Sequence, residues 1–265
     1  MSTVREIHDA LFSIAPAYMK MDWDNVGLLC GHMDATVDTV LVALDPMPDV
    51  LEEAKAIGAQ LIVTHHPLIF NAIKAVNDQD YDGRNLLFLI ENGIAAINLH
   101  TNLDCAPGGV NDILAQRLGL TDVTVMEPDG RDEDDREYGL IRCGYVNQTT
   151  TADFAVAVAE KLNCGGLRFA DGGRPVHRVA VGGGSCGSEI EDVIRCGCDT
   201  LVTADLKYNH LQEARFRGIN LIDAGHFETE NPVCAYLAGV LREKFPALRV
   251  VESKNHVSAT QFLAK

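Results

Sequence analysis

Apolar positions along the chain recur first with a helical period and then in short runs of strand type. Val4, Ile7, Leu11 and Ile14 lie three or four apart behind Thr3-x-x-Glu6, a capping-box pattern, so the spacing predicts an amphipathic helix stopped by Pro16. From Thr36 onward apolar runs alternate with helical spacing. Residues 40–44, 61–63 and 94–99 read as buried strands, and 48–57, 84–92 and 110–118 as helices closed by Gly58, Gly93 and Gly119. Strands alternating with helices predict βαβ units, hence an α/β fold with largely parallel sheets flanked by helices.

The stretch 126–137 (MEPDGRDEDDRE) is acidic and has no apolar period, and it reads as a solvated connection between lobes. Beyond it, 138–146 predicts a strand, 151–162 a helix and 167–170 a short strand. The first pattern then returns. Val37-Asp38-Thr39-Val40-Leu41-Val42 resembles Val176-His177-Arg178-Val179-Ala180-Val181, and residues 58–64 resemble 197–203, both at an offset of 139. The third strands, 93–98 and 218–223, are offset by 125. This predicts an internal duplication into two similar lobes: residues 1–125, joined by the C-terminal segment 231–265, and residues 126–230.

Composition narrows the class. Apolar residues make up 47% of the 265 positions, enough for a globular core, and no run reaches the length of a membrane span. A net charge of −16 argues against a nucleic-acid-binding surface. The eight cysteines form no C-x-x-C pair and no signal-type run opens the chain, so a reducing, cytoplasmic setting is expected.

Candidate chemistry collects at strand ends, where open parallel sheets bind ligands. His65-His66 follows the second strand of the first copy and Pro67 favours a turn there, so both imidazoles could face one cavity. Asp104 follows the third strand. In the second copy His226 and Glu230 sit four apart, on one face of a predicted helix. Three imidazoles and two carboxylates suit Zn, Fe or Mn better than Mg or Ca, and five ligands over two ions leave positions open for water or substrate. His100 and His210 lie near the same strand ends as candidate catalytic acids, bases or substrate contacts, and Lys207 as a candidate anion contact. Residues 182–188 (GGGSCGS) resemble a phosphate cradle but lack the Walker lysine.

Four segments, Asp24-Asn25-Val26-Gly27-Leu28, Thr64-His65-His66-Pro67-Leu68-Ile69-Phe70, His100-Thr101-Asn102-Leu103-Asp104 and Gly225-His226-x-x-x-Glu230, resemble in order the signature segments of the GTP cyclohydrolase I type 2 homologue family, the NIF-three-like dinuclear metal-centre proteins. The resemblance implies a duplicated α/β chain with a metal site between its lobes, a homohexamer, and two divalent metal ions per chain. It implies His66 and Asp104 on one ion, His65 and His226 on the other, and Glu230 bridging. Ala204-Asp205 departs from the glycine and glutamate that the family places there. The implied activity is metal-dependent hydrolysis, either opening of a purine ring as in GTP cyclohydrolase chemistry or attack on another nucleotide-like small molecule. Two other readings are a two-metal phosphoesterase and a metal-binding hexamer that acts in interaction or regulation.

Overall fold

The computed structural model describes residues 2–263 and resolves two compact units, 2–106 with Val233–Val257, and Pro107–Pro232 with 258–263. The first begins with helix α1 (Val4–Phe12). Its capping box is formed: Thr3 Oγ1 accepts from the Glu6 amide at 3.2 Å and the Glu6 carboxylate accepts from the Thr3 amide at 2.8 Å. Val4, Ile7 and Leu11 are fully buried, as the helical spacing requires.

The first sheet is then laid down by β1 (Gly27–Cys30), β2 (Thr39–Ala43), β3 (Leu61–Thr64) and β4 (Ala95–Asn98). Helices α2 (Pro48–Ala56) and α3 (Tyr81–Glu91) connect its parallel strands. Both pack on one face, where Leu41, Ala43, Ile62 and Ala96 meet Val50, Leu51, Ala54, Leu86 and Leu89. Every residue of β2, β3 and β4 is buried, which is why these strands read as continuous apolar runs. A short helix α4 (Thr101–Cys105) follows β4 directly.

The second unit opens with α5 (Val110–Leu118), closed by Gly119 in the left-handed region at φ 78°. The chain continues through β5 (Thr121–Met126), β6 (Ile141–Thr149), α6 (Thr151–Leu162), β7 (Arg168–Ala170), β8 (Val176–Val181), α7 (Ile190–Arg195), β9 (Thr200–Thr203), α8 (Tyr208–Arg217), β10 (Asn220–Asp223) and α9 (His226–Glu230). Alternate residues of the central strands divide between the two faces. Val179, Val181, Val202 and Ile222 pack with Leu114, Leu118, Phe154 and Val158 of α5 and α6, while Ala180, Leu201 and Leu221 pack with Val193 and Ala214 of α7 and α8. The chain then returns to the first unit through α10 (Pro232–Lys244) and β11 (Arg249–Glu252), which pairs with β2 in parallel.

The five-stranded sheet runs β11-β2-β3-β4-β1 and the six-stranded sheet β7-β10-β9-β8-β6-β5. Each holds a parallel triple in the same register. Val40 faces Leu61 and Leu61 faces Ala95; Val179 faces Thr200 and Thr200 faces Asn220. These are the pairs that the sequence offsets of 139 and 125 connect. The fold is nevertheless mixed rather than largely parallel, because β7, β6 and β5 join the second sheet antiparallel, as β1 joins the first.

The division between units falls at Ala106/Pro107 rather than near residue 125, since the apolar side of α5 belongs to the core of the second sheet. The acidic stretch lies within that second unit, not between lobes. There Gly130–Arg131 pairs with Glu137–Tyr138 in a small hairpin. Among the described residues no helix is long and apolar enough to cross a membrane, and all eight cysteines are free thiols.

Candidate metal centre

In the first unit the chain brings His65, His66, His100 and Asp104 together. The first two stand immediately past β3, where the strand gives way to a turn: the Thr64 hydroxyl donates to the His66 carbonyl at 2.7 Å and the His66 amide donates to the Leu44 carbonyl at 2.9 Å. His100 stands immediately past β4 and Asp104 on the following helix α4. Ligand atoms of His65, His66 and His100 lie within 4.8 Å of one another, and His65 Nε2 lies 3.5 Å from Asp104 Oδ1. His65 is fully buried and Asp104 nearly so.

Each of these imidazoles is held through Nδ1 by an oxygen. His65 Nδ1 donates to the Leu99 carbonyl at 2.8 Å, His66 Nδ1 meets Asp45 Oδ1 at 2.6 Å, and His100 Nδ1 meets Asp24 Oδ1 at 2.8 Å. Such contacts orient each ring through Nδ1, the arrangement by which proteins aim the Nε2 of a histidine at a metal. Asp24 is itself fixed, accepting from the amide and the hydroxyl of Thr101 at 3.0 and 2.5 Å. Burial opposes its ionisation, but the hydrogen bonds from His100 and Thr101 outweigh burial and hold the carboxyl well below the usual carboxylate range.

In the second unit His226 opens α9 and Glu230 closes it, with His226 Nε2 3.0 Å from Glu230 Oε2. The same Nδ1 rule holds: His226 Nδ1 meets Asp205 Oδ2 at 2.7 Å. By the repeat offset Asp205 occupies the place of His66, one strand end standing for the other. Its backbone is left-handed at φ 53°, a conformation aspartate tolerates better than most residues and glycine better still. The departure from the family pattern noted at this position therefore supplies the Nδ1 partner of His226.

The glycine run 182–188 has a structural task here. Gly184 (φ +60°) lies so close to α9 that a Cβ would stand 2.2 Å from Glu230 Oε1 and 3.1 Å from His226 Nε2. The Gly184 amide donates to Thr229 Oγ1 at 3.0 Å and the Gly183 amide to Asn111 Oδ1 at 2.7 Å. The missing side chains leave room for the carboxylate, which is 3% exposed.

His210 lies at the start of α8, where its Nδ1 accepts from the Lys207 amide at 3.3 Å and its ring covers Gly187. It belongs to none of the groups of donor atoms close enough to share an ion among the described residues, while His100 does. Lys207 is exposed beside it. Sequence reasoning missed Asp45, Asp24 and Asp205 as partners of the histidines. The signal for Asp205 was present in the repeat alignment, and that for Asp24 in the first family-like segment. Asp45 carried none beyond its place at a strand end.

The residues fit divalent ions. Imidazoles anchored through Nδ1, two buried carboxylates, and a glycine cradle for one of those carboxylates form donor clusters consistent with metal binding.

Residues 2–258 match the family described as Duf34/NIF3 (NGG1p interacting factor 3). A Streptomyces coelicolor protein named GTP cyclohydrolase 1 type 2 homolog is 39% identical over 248 residues, 92% of this chain and 87% of that one. A Clostridium perfringens protein of the same name is 30% identical over 263 residues, 98% and 99% of the two chains. The crystal structure of a Bacillus cereus protein related to NIF3 superposes with a TM-score of 0.92 at 25% identity, covering 99% of both chains.

Proposed function

The chain belongs to the Duf34/NIF3 family, and on that premise we propose that its two donor sets serve one dinuclear divalent-metal centre with hydrolytic activity on a small molecule. In this reading His65, His66, Asp104, His226 and Glu230 would hold the two ions, with Glu230 as the ligand common to both donor groups. Bound divalent ions would supply Lewis acidity to the bond being broken and lower the pKa of an attacking water. The chain's own groups do the rest. Asp45, Asp24, Asp205 and the Leu99 carbonyl hold four imidazoles in one tautomer, and Gly184 keeps space for the Glu230 carboxylate. His100, oriented by Asp24, presents Nε2 beside His65 and His66, where it can hold a proton for a leaving group. His210 remains a candidate substrate contact only.

The observation that carries the reading is the anchoring of every candidate ligand histidine through Nδ1. Ring opening of a purine, as the relatives' name suggests, is one reaction this chemistry would serve, and phosphoester hydrolysis is another. Release of formate or of phosphate tells them apart. The equal registers of the two parallel triples support descent of the lobes from one duplicated unit, and the free thiols support a cytoplasmic setting. A homohexamer is proposed with the family. Elemental analysis of metal-replete protein, followed by a panel of nucleotides and phosphoesters, tests the whole: two ions per chain and turnover abolished by Glu230→Ala with unchanged assembly are expected. Two ions with no turnover on any member of the panel would favour the binding or regulatory reading instead.

A further inference from the structure

Two large aromatic side chains stand exposed against the histidine cluster of the first unit. Trp23, just before β1, is 62% exposed and Phe70, just past the His65-His66 turn, is 50% exposed. Scattered exposed apolar residues are ordinary and need no explanation. These two, however, touch each other and the cluster. Their ring centroids are 5.7 Å apart at 55°, and each lies 6.1 Å from the His100 ring, which in turn lies 5.3 and 5.6 Å from His65 and His66.

The loops that carry them are tied together. Asn25 Nδ2 donates to the Ile69 carbonyl at 2.8 Å, linking the neighbourhoods of Trp23 and Phe70, and Asn98 Nδ2 at the end of β4 donates to the Asn25 carbonyl at 3.0 Å. Asp24, next to Trp23, is bound to His100 and Thr101. The loops that carry the two rings are thus tied down before any ligand arrives, which lowers the ordering cost of binding.

We propose that Trp23 and Phe70 form a stacking platform for a flat heteroaromatic ring of the substrate, beside the metal centre. This deepens the hydrolytic reading above and rests on it. The chemistry favours a ring over a purely anionic ligand. The chain carries a net charge of −16, which opposes the approach of anions, whereas stacking on indole and phenyl faces needs no positive charge. The platform selects substrates in which the bond to be broken lies in, or close to, such a ring.

Trp23 is the one tryptophan of the chain, so its fluorescence reports on the platform directly. The metal-loaded full-length protein is titrated with guanosine 5′-monophosphate and with ribose 5-phosphate, which lacks the ring, and the affinities are measured by calorimetry. The nucleotide is expected to quench Trp23 and to bind more tightly than the sugar phosphate. Phe70→Ala should weaken nucleotide binding roughly 5- to 150-fold and leave ribose 5-phosphate unaffected, while Phe70→Tyr restores the difference. Equal affinity for the two ligands, binding of neither, or shielding of Trp23 that follows protein concentration instead of ligand would overturn the platform. The last outcome would make the face a contact between copies. Metal content measured in each sample separates the two failures: lost ring discrimination with two ions retained strikes this inference alone, and failure to hold two ions strikes the metal-centre reading.

Discussion

Replacing Gly184 by alanine tests whether the glycine run exists to seat Glu230. The added methyl would lie 2.2 Å from Glu230 Oε1, far inside contact distance, and the backbone there has φ +60°. Left-handed backbone costs a non-glycine residue about 1–2 kcal/mol. Because Glu230 is 3% exposed, its carboxylate cannot simply swing into water, and overpacking a filled site costs about 1–3 kcal/mol more. The sum is about 2–5 kcal/mol. Gly173→Ala isolates the first contribution, since Gly173 is also left-handed at φ +76° but a Cβ there meets nothing within 4 Å. Urea unfolding of the two variants should therefore separate them by about 1–3 kcal/mol, and only Gly184→Ala should lose metal on dialysis against a weak chelator. Equal stability and equal metal retention in the two variants would refute the seating of Glu230 by Gly184.

Asp205→Ala removes the Nδ1 partner of His226 and should weaken metal binding roughly 10- to 100-fold, measured by competition with a chromogenic chelator, with Asp205→Asn falling between it and the parent because Asn also tolerates left-handed backbone. For Asp24 the folded pKa lies below the ordinary value of 3.8, so its stabilising contribution is present above that value and is lost as pH falls toward the folded one. Thermal melts from neutral pH down to about 2.5 should accordingly show a smaller acid loss in Asp24→Asn than in the parent, and parallel pH curves would count against the depressed pKa. Arg142, 1% exposed, is paired with Asp112 at 2.8 and 3.1 Å. Asp112→Ala should cost about 3 kcal/mol by leaving that guanidinium buried without its carboxylate, and a loss below about 1 kcal/mol in chemical denaturation would show the pair to behave as a surface one.

Much of this molecule is written in short-range pattern. Thr3-x-x-Glu6 announced the first capping box, and α6 begins and ends where its apolar period does, at Thr151 and Leu162. The fully buried strands β2, β3 and β4 read as unbroken apolar runs because a strand covered on both faces has no polar side to alternate with. The family resemblance read from four short segments is borne out over nearly the full chain. Where the reading fell short, the deciding contacts were remote. α5 has the same periodicity whichever sheet it covers, so only packing against Phe154 and Val158 assigns it to the second unit.

By itself the sequence offered His65, His66, Asp104, His226 and Glu230 as candidate donors in the segments that follow strands, because strand period and motif spacing are local properties. Tertiary structure decided which group holds each side chain: Asp45 against His66, Asp24 against His100, Asp205 against His226, and Gly184 against Glu230. Those partners are separated by 21 residues or more in the chain, and no periodicity couples positions so far apart. The orientation of an imidazole is set by whichever oxygen the fold delivers to Nδ1, and delivery is the work of sheet register and loop closure, which exist only once the chain has folded.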